Sequence, residues 1–239
     1  MVDTLLCLIM SPWPWLPWVA QQEPIVTDKP DFTESSVVVP VGMVQIESGS
    51  TWEDKTWRFP EGLLRYGVGP QFELRLGLPN YTWSEDTKGF GDLYIGVKVQ
   101  GQTRDGTQFA LIPAVTWPIG QLGVRSEVAS PELKFVWSRG LSGGLSLSGM
   151  VFVLSTEEDG ERRTPLQHTI SLGIPLRDRL GMFVEHVLQL ERRNSPMQLL
   201  HSGFAYQPNP NTQFDLHYGF GLTPNAPDFF IGVGYSVRF

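Results

Sequence analysis

Gly140-Leu-Ser-Gly-Gly144 has the G-x-S-x-G spacing of a nucleophile elbow, in which a strained turn between strand and helix exposes a serine for acyl transfer. The residues that follow, Leu145-Ser-Leu-Ser-Gly-Met-Val-Phe-Val-Leu154, alternate as a strand does. Ser142 is therefore expected in or beside a Gly-rich hairpin. His168, His186, His201 and His217 lack the i,i+4 or short-loop spacing of a metal site, and no paired carboxylate motif accompanies them. No catalytic set, metal site or cofactor site is expected, and the chain is not read as an enzyme. Asn80-Tyr-Thr82 matches a glycosylation acceptor, which has meaning only in a eukaryotic secretory context.

Charge placement is more informative. Glu47, Arg65, Glu73, Arg75, Lys98, Lys134, Glu185, Asp215 and Arg238 each interrupt an apolar run on alternate positions. If the runs are strands, these residues project to the face opposite the apolar one and would line a lumen in near balance of sign. Balanced charge argues against strong ion selectivity, which comes from rings of one sign. Opposite charges on neighbouring strands, such as Arg65 with Glu73, are equally expected to pair across a filled lumen. His186 and His201 fall on the apolar faces of their strands, so each needs a bulge or a local partner.

The strands that must position these groups read clearly. Phe229, Ile231, Val233, Tyr235, Val237 and Phe239 share a face opposite Asp228, Gly232, Gly234, Ser236 and Arg238. Such alternation over about ten residues is what a strand needs with lipid on one side and water on the other. The same period recurs near 44–47, 62–67, 72–78, 93–100, 107–117, 133–138, 145–153, 165–174, 181–190, 198–206 and 213–220. The fold class is all-β, an antiparallel transmembrane β-barrel of about twelve strands of outer-membrane type. Inner turns are expected at 67–70, 101–106, 139–140, 175–179 and 207–211, with longer outer connections at 52–61, 79–89, 118–131, 155–164, 191–196 and 223–227. Trp52, Trp57, Trp83, Trp117 and Phe229 lie near strand ends, where rings favour the headgroup level.

Composition agrees with this. Of 239 residues, 41% are hydrophobic and 18% charged, with 25 Gly and 8 Trp, which excludes a disordered chain. A net charge of −7 with no basic stripe excludes a nucleic-acid partner. The mean hydropathy of −0.11 does not exclude a membrane, because only alternate barrel residues meet lipid. Residues 1–20 are short and apolar and read as an atypical export signal peptide, with Asp3 but no Lys or Arg in the n-region. Cys7 is the only cysteine, so cleavage near Ala20 would leave no disulfide or thiolate metal site. Residues 21–40 show no period and read as an N-terminal periplasmic arm before a barrel over 41–239. The arm around Asp28-Lys-Pro-Asp-Phe32 is either a plug folded into the lumen or a tether.

Thr27-Asp-Lys-Pro-Asp-Phe-Thr-Glu-Ser35, Leu63-Leu-Arg-Tyr-Gly-Val-Gly-Pro-Gln-Phe-Glu-Leu-Arg-Leu-Gly77 and Gly89-Phe-Gly-Asp-Leu-Tyr-Ile-Gly-Val-Lys98 resemble an outer-membrane family. That family is described as putative MetA-pathway of phenol degradation and often labelled a transporter. The resemblance runs from about residue 27 to Phe239. It implies a barrel in the cell outer membrane that takes up small, aromatic or hydrophobic molecules, and it supplies no catalytic residues. Tyr235, Val237 and Phe239 then resemble the signal read by barrel-assembly machinery. The expected function is a porin-like channel or transporter for a small-molecule solute, with outer-membrane lipids and lipopolysaccharide as surroundings. The loop charges at 157–163 and 191–193 read first as solvated loop tips and otherwise as contacts for lipopolysaccharide phosphates or a partner. The alternatives are a structural barrel without transport and a barrel-embedded hydrolase.

Overall fold

A computed structural model describes residues 23–158, 160–192 and 194–239. The expected signal segment at 1–20 lies outside the described residues. In chain order the strands are β1 (Val44–Glu53), β2 (Thr56–Phe59), β3 (Leu63–Gly69), β4 (Phe72–Gly77), β5 (Tyr81–Trp83), β6 (Lys88–Phe90), β7 (Leu93–Gln102), β8 (Gln108–Trp117) and β9 (Ser130–Gly140). Then come β10 (Ser146–Leu154), β11 (Thr156–Glu158), β12 (Glu161–Arg163), β13 (Leu166–Arg177), β14 (Leu180–Leu190), β15 (Met197–Asn209), β16 (Thr212–Gly221) and β17 (Phe229–Arg238).

Twelve of these pair in the antiparallel ring β1-β3-β4-β7-β8-β9-β10-β13-β14-β15-β16-β17. β17 returns to β1 over nine residue pairs, from Gln45 opposite Arg238 to Glu53 opposite Phe230. Closure removes the unpaired strand edges that lipid could not solvate. The short strands lie in the long connections: β2, β5 and β6 extend the sheet from the outer end of β1, and β11 pairs with β12.

Period-two alternation sets which side chains meet lipid. On β16 the outward Phe214, Leu216 and Phe220 are exposed while Gln213 and Asp215 are buried. On β1 the outward Ile46 and Trp52 flank buried Gln45, Glu47 and Thr51. Trp52, Trp57, Trp83 and Trp117 are exposed at the long-loop end, and Tyr66, Phe72, Tyr206, Phe214 and Tyr235 at the short-turn end. An apolar belt between two aromatic girdles is the outer surface of a barrel that crosses the outer membrane.

One inner turn falls elsewhere than the sequence suggests. Arg139 and Gly140 are not a turn: β9 stays paired through Gly140 opposite Ser146. The chain reverses over 141–145 around a 3-10 turn at Ser142–Gly144. Gly143 and Gly144 adopt φ of 73° and 76°, a region costly for any residue with a Cβ, so the reversal belongs there. Ser142 is exposed in that turn, as its strand context indicates.

Leu216 lies mid-strand on the lipid face. Leu216→Arg is expected to lower the unfolding free energy in liposomes by about 2–4 kcal/mol. The same change at Leu122 in a long loop, 81% exposed, should stay within about 0.5 kcal/mol by denaturant titration.

Candidate functional site

Alternation brings Gln45 and Glu47 of β1, Arg65 of β3, Glu73 and Arg75 of β4 and Lys98 of β7 to one inner wall, where all are buried. Register then creates a conflict. Arg65 stands directly opposite Arg75, and Glu73 opposite Lys98. Like charges opposite one another repel unless an anion lies between them.

Glu73 Oε1 accepts from both arginines, from Arg65 Nε at 2.8 Å and from Arg75 Nη1 at 3.1 Å, and the N-terminal arm supplies a second anion. Ile25 N–H donates to the Pro210 carbonyl at the short-turn mouth, 2.7 Å away, and the Arg238 Nη2 group donates to the Glu23 carbonyl at 2.5 Å. From there the arm rises into the lumen, turns near Phe32 and Thr33, and returns to the same mouth, where Val41 bridges to Gly67. Asp28 accepts from Arg75 Nη1 at 2.5 Å and Lys98 Nζ at 2.7 Å, and its Oδ2 lies 3.4 Å from Arg65 Nε. Arg65 also donates two parallel bonds to Glu73, at 2.8 and 2.9 Å, and one to Glu47 at 2.8 Å. Three cations thus meet three carboxylates, one of them from the arm. The arm backbone is bound as well. Asp28 N–H donates to Glu47 Oε2 at 2.9 Å, Val39 N–H to Glu73 at 2.8 Å, and Val38 N–H to Gln100 Oε1 at 2.8 Å.

A second anchor holds the turn of the arm. Glu185 accepts from the N–H of Phe32 at 2.9 Å, from the N–H and hydroxyl of Thr33 at 2.7 and 2.6 Å, and from His201 Nδ1 at 2.8 Å. Glu34 accepts from Arg75 at 2.8 Å and Lys134 at 2.6 Å. Every backbone group buried with the arm would cost free energy if left without such a partner.

His201 needs no bulge. The β14–β15 register runs unbroken through it, and it points inward between Glu185 and His217, whose Nδ1 lies 3.1 Å from His201 Nε2. His186 lies on the other face of β14, 3.2 Å from Gln198. Glu185 and His201 have the spacing of an acid–histidine pair, yet the second ring nitrogen faces an imidazole and not a nucleophilic hydroxyl.

Asp215 lies apart from both anchors, with its Oδ2 buried and without a hydrogen-bond partner. Arg238 sits at the mouth, held by the carbonyls of Glu23 and Pro210 and by Asn211. Sequence reasoning did not name Asp28, Asp31, Glu34 or the inward Phe230 as site residues. The available signal is the Asp28–Phe32 block, which the sequence leaves open as either a plug or a tether. With the arm included, the net of the named inward charges changes from +1 to −1, because Asp28, Asp31 and Glu34 outnumber Lys29.

Burial alone would raise the Asp28 carboxyl, but Arg65, Lys98 and Arg75 outweigh it and hold the group well below the ordinary aspartate range. Glu34 is likewise lowered, burial being outweighed by Arg75 and Lys134. Asp31 is pushed well up by burial and by the Glu185 charge. Asp28 and Glu34 thus stabilise docking above their ordinary range and lose that contribution as pH falls through their lowered values. Asp31 acts oppositely: its contribution is complete below the ordinary range and declines as pH rises through its raised value. Amide protection over 25–39, taken relative to the intrinsic exchange rate at each pH, is therefore expected to be greatest in mild acid and to fall sharply in strong acid. Asp28→Asn should free the arm by about 3–5 kcal/mol, read as faster exchange of 25–39 with the barrel strands unchanged.

The fold is shared with solved outer-membrane proteins. An outer-membrane channel from Pseudomonas putida F1 superposes with a TM-score of 0.66 at 14% identity, covering 88% of this chain and 99% of that one. The KdgM porin in complex with disordered oligogalacturonate gives 0.62 at 10% identity, covering 82% and 99%. The NanC porin gives 0.60 at 8% identity, covering 82% and 100%. At these identities the likeness is one of fold. No curated protein matches the sequence. The family described as Putative MetA-pathway of phenol degradation matches residues 27–239, and the chain belongs to that family.

Proposed function

We propose that the protein is an outer-membrane channel for small organic solutes, with its own N-terminal arm as the element that closes the path. The observation that carries this reading is the arrangement of two cavities. One, of about 300 Å³, lies toward the long loops and is lined by Thr51, Glu61, Phe230 and Gly234 among others. The other, of about 270 Å³, lies toward the short turns between Gly144, Pro175, Gly181 and Gln213. Lys29, Pro30 and Asp31 line both. A segment of the arm, not a barrel strand, separates them.

In this reading Glu47, Arg65, Glu73, Arg75, Lys98, Lys134 and Glu185 hold the gate in place, while Asp215 faces the solute path and Arg238 fixes the arm at the inner mouth. Small aromatic solutes are the class favoured by the family description and by the Phe32 and Phe230 rings. Tyr235, Val237 and Phe239 act as the assembly signal at the closing strand, with lipid and lipopolysaccharide around the belt. The second reading, a purely structural barrel, is favoured by the density of bonds to the arm, and flux decides between them.

Liposome swelling with sugars, amino acids and phenols is expected to show slow flux in the wild type and faster flux in Asp28→Asn and Arg75→Ala. Absence of flux for every solute in all three proteins would sink the channel reading.

A further inference from the structure

The cavity on the long-loop side of the arm holds more carboxylate than its ion pairs use. Its walls carry Asp28, Asp31, Glu34, Glu53, Glu61 and Asp215, against Lys29 and Arg58. Asp28 and Glu34 are engaged by the arginines and lysines of the neighbouring wall. Both cations lining the cavity are also engaged, Lys29 by Glu61 at 3.1 Å and Arg58 by Glu53 at 3.0 Å. Asp31 accepts from its own backbone N–H and, at a long 3.4 Å, from the Ser171 hydroxyl. Asp215 makes no ion pair within 4.0 Å among the described residues, although Lys29 acts on it electrostatically and Gln213 hydrogen-bonds it.

Asp215 provides an observation independent of that surplus. It is 7% exposed, and its Oδ2 has no hydrogen-bond partner. Its carboxyl lies against Gly234, where an added Cβ would fall 2.3 Å from Oδ1, so the glycine leaves room for the charged group. A buried carboxylate oxygen without a donor is unfavourable, and a ligand donor would relieve it. Phe32, His217 and Phe230 line the same cavity, with Phe32 and Phe230 edge-to-face at 5.9 Å. Aromatic faces attract cations and cover apolar carbon.

We infer that this cavity binds a small organic cation, an ammonium group joined to a ring or short apolar chain. The ammonium sits between Asp215 and Asp31, and the apolar part lies against Phe32 and Phe230. An anion would meet the surplus carboxylate, and a neutral apolar solute would leave Asp215 Oδ2 without a donor. Burial and Glu185 already push Asp31 up, and a neighbouring cation would reverse that. The inference deepens the channel reading by naming the solute class at the outer cavity.

Calorimetric titration of the full chain in detergent micelles tests it, with 2-phenylethylammonium, 2-phenylethanol, phenylacetate and ammonium as probes. The phenylethylammonium ion is expected to bind about tenfold or more tightly than the other three, as one charge-assisted hydrogen bond implies. Asp215→Asn should abolish that preference while retaining the heat-modifiable gel mobility of a folded barrel. Asp105→Asn, on an exposed short turn, should keep it. If Asp215→Asn fails to fold, Asp31→Asn carries the same expectation. Equal binding of the probes, or a preference that survives Asp215→Asn or its Asp31→Asn substitute, overturns the site. Binding is read at equilibrium. Preference without flux therefore faults the channel reading alone, and flux without preference faults the site alone.

Discussion

Arg65 and Arg75 face each other on adjacent strands, inside a wall from which water is excluded, and the Asp28 carboxylate of the arm lies against both. Glu47 and Glu73 alone would leave that wall, with Lys98, one positive charge in excess. An unpaired buried charge costs several kcal/mol, so the arm is held against that wall as long as water is kept out of it. This pairing fills the lumen with the arm, whose Lys29, Pro30 and Asp31 line cavities on both of its sides.

The same constraint explains why the interior is mixed in character. Water-filled barrels keep inward residues polar, but here the inner side also holds apolar clusters: Ile112, Val136 and Met150 on β8 to β10, and Val187, Leu199 and Phe230 across β14, β15 and β17. The second cluster backs the turn of the arm, where Phe32 packs edge-on to His201 with ring centres 5.0 Å apart. A lumen that receives a folded segment needs a core on that side and charge on the other. Asp215 Oδ2, on the cavity wall, is left without a donor.

Much of the barrel was legible in the chain. Ile46, Leu216 and Val233 alternate with Glu47, Asp215 and Gly234 because a strand has period two and lipid tolerates only one of its faces. Short turns and long loops followed from where Gly, Pro and polar residues interrupt the alternation. The turn at 141–145 was misplaced by a few residues because Arg139-Gly140 and Gly143-Gly144 offer similar turn chemistry, and only cross-strand pairing to Ser146 chooses between them. The inward direction of His201 was obscured because Leu199 beside it is also inward, so polarity gave no clear face.

The sequence by itself determined location and architecture, since both depend on the local period of side chains and on an exposed apolar belt. It also marked most of the inward charges, and the pairing of Arg65 with Glu73 was open to expectation because they lie on one hairpin. Only the tertiary structure decided what those charges do. Asp28 reaches Arg65, Arg75 and Lys98 across 37, 47 and 70 positions of chain, and Thr33 reaches Glu185 across 152. Contacts at such separation leave no periodic trace, because they are set by where closure of the ring places each wall relative to a segment that has no period of its own.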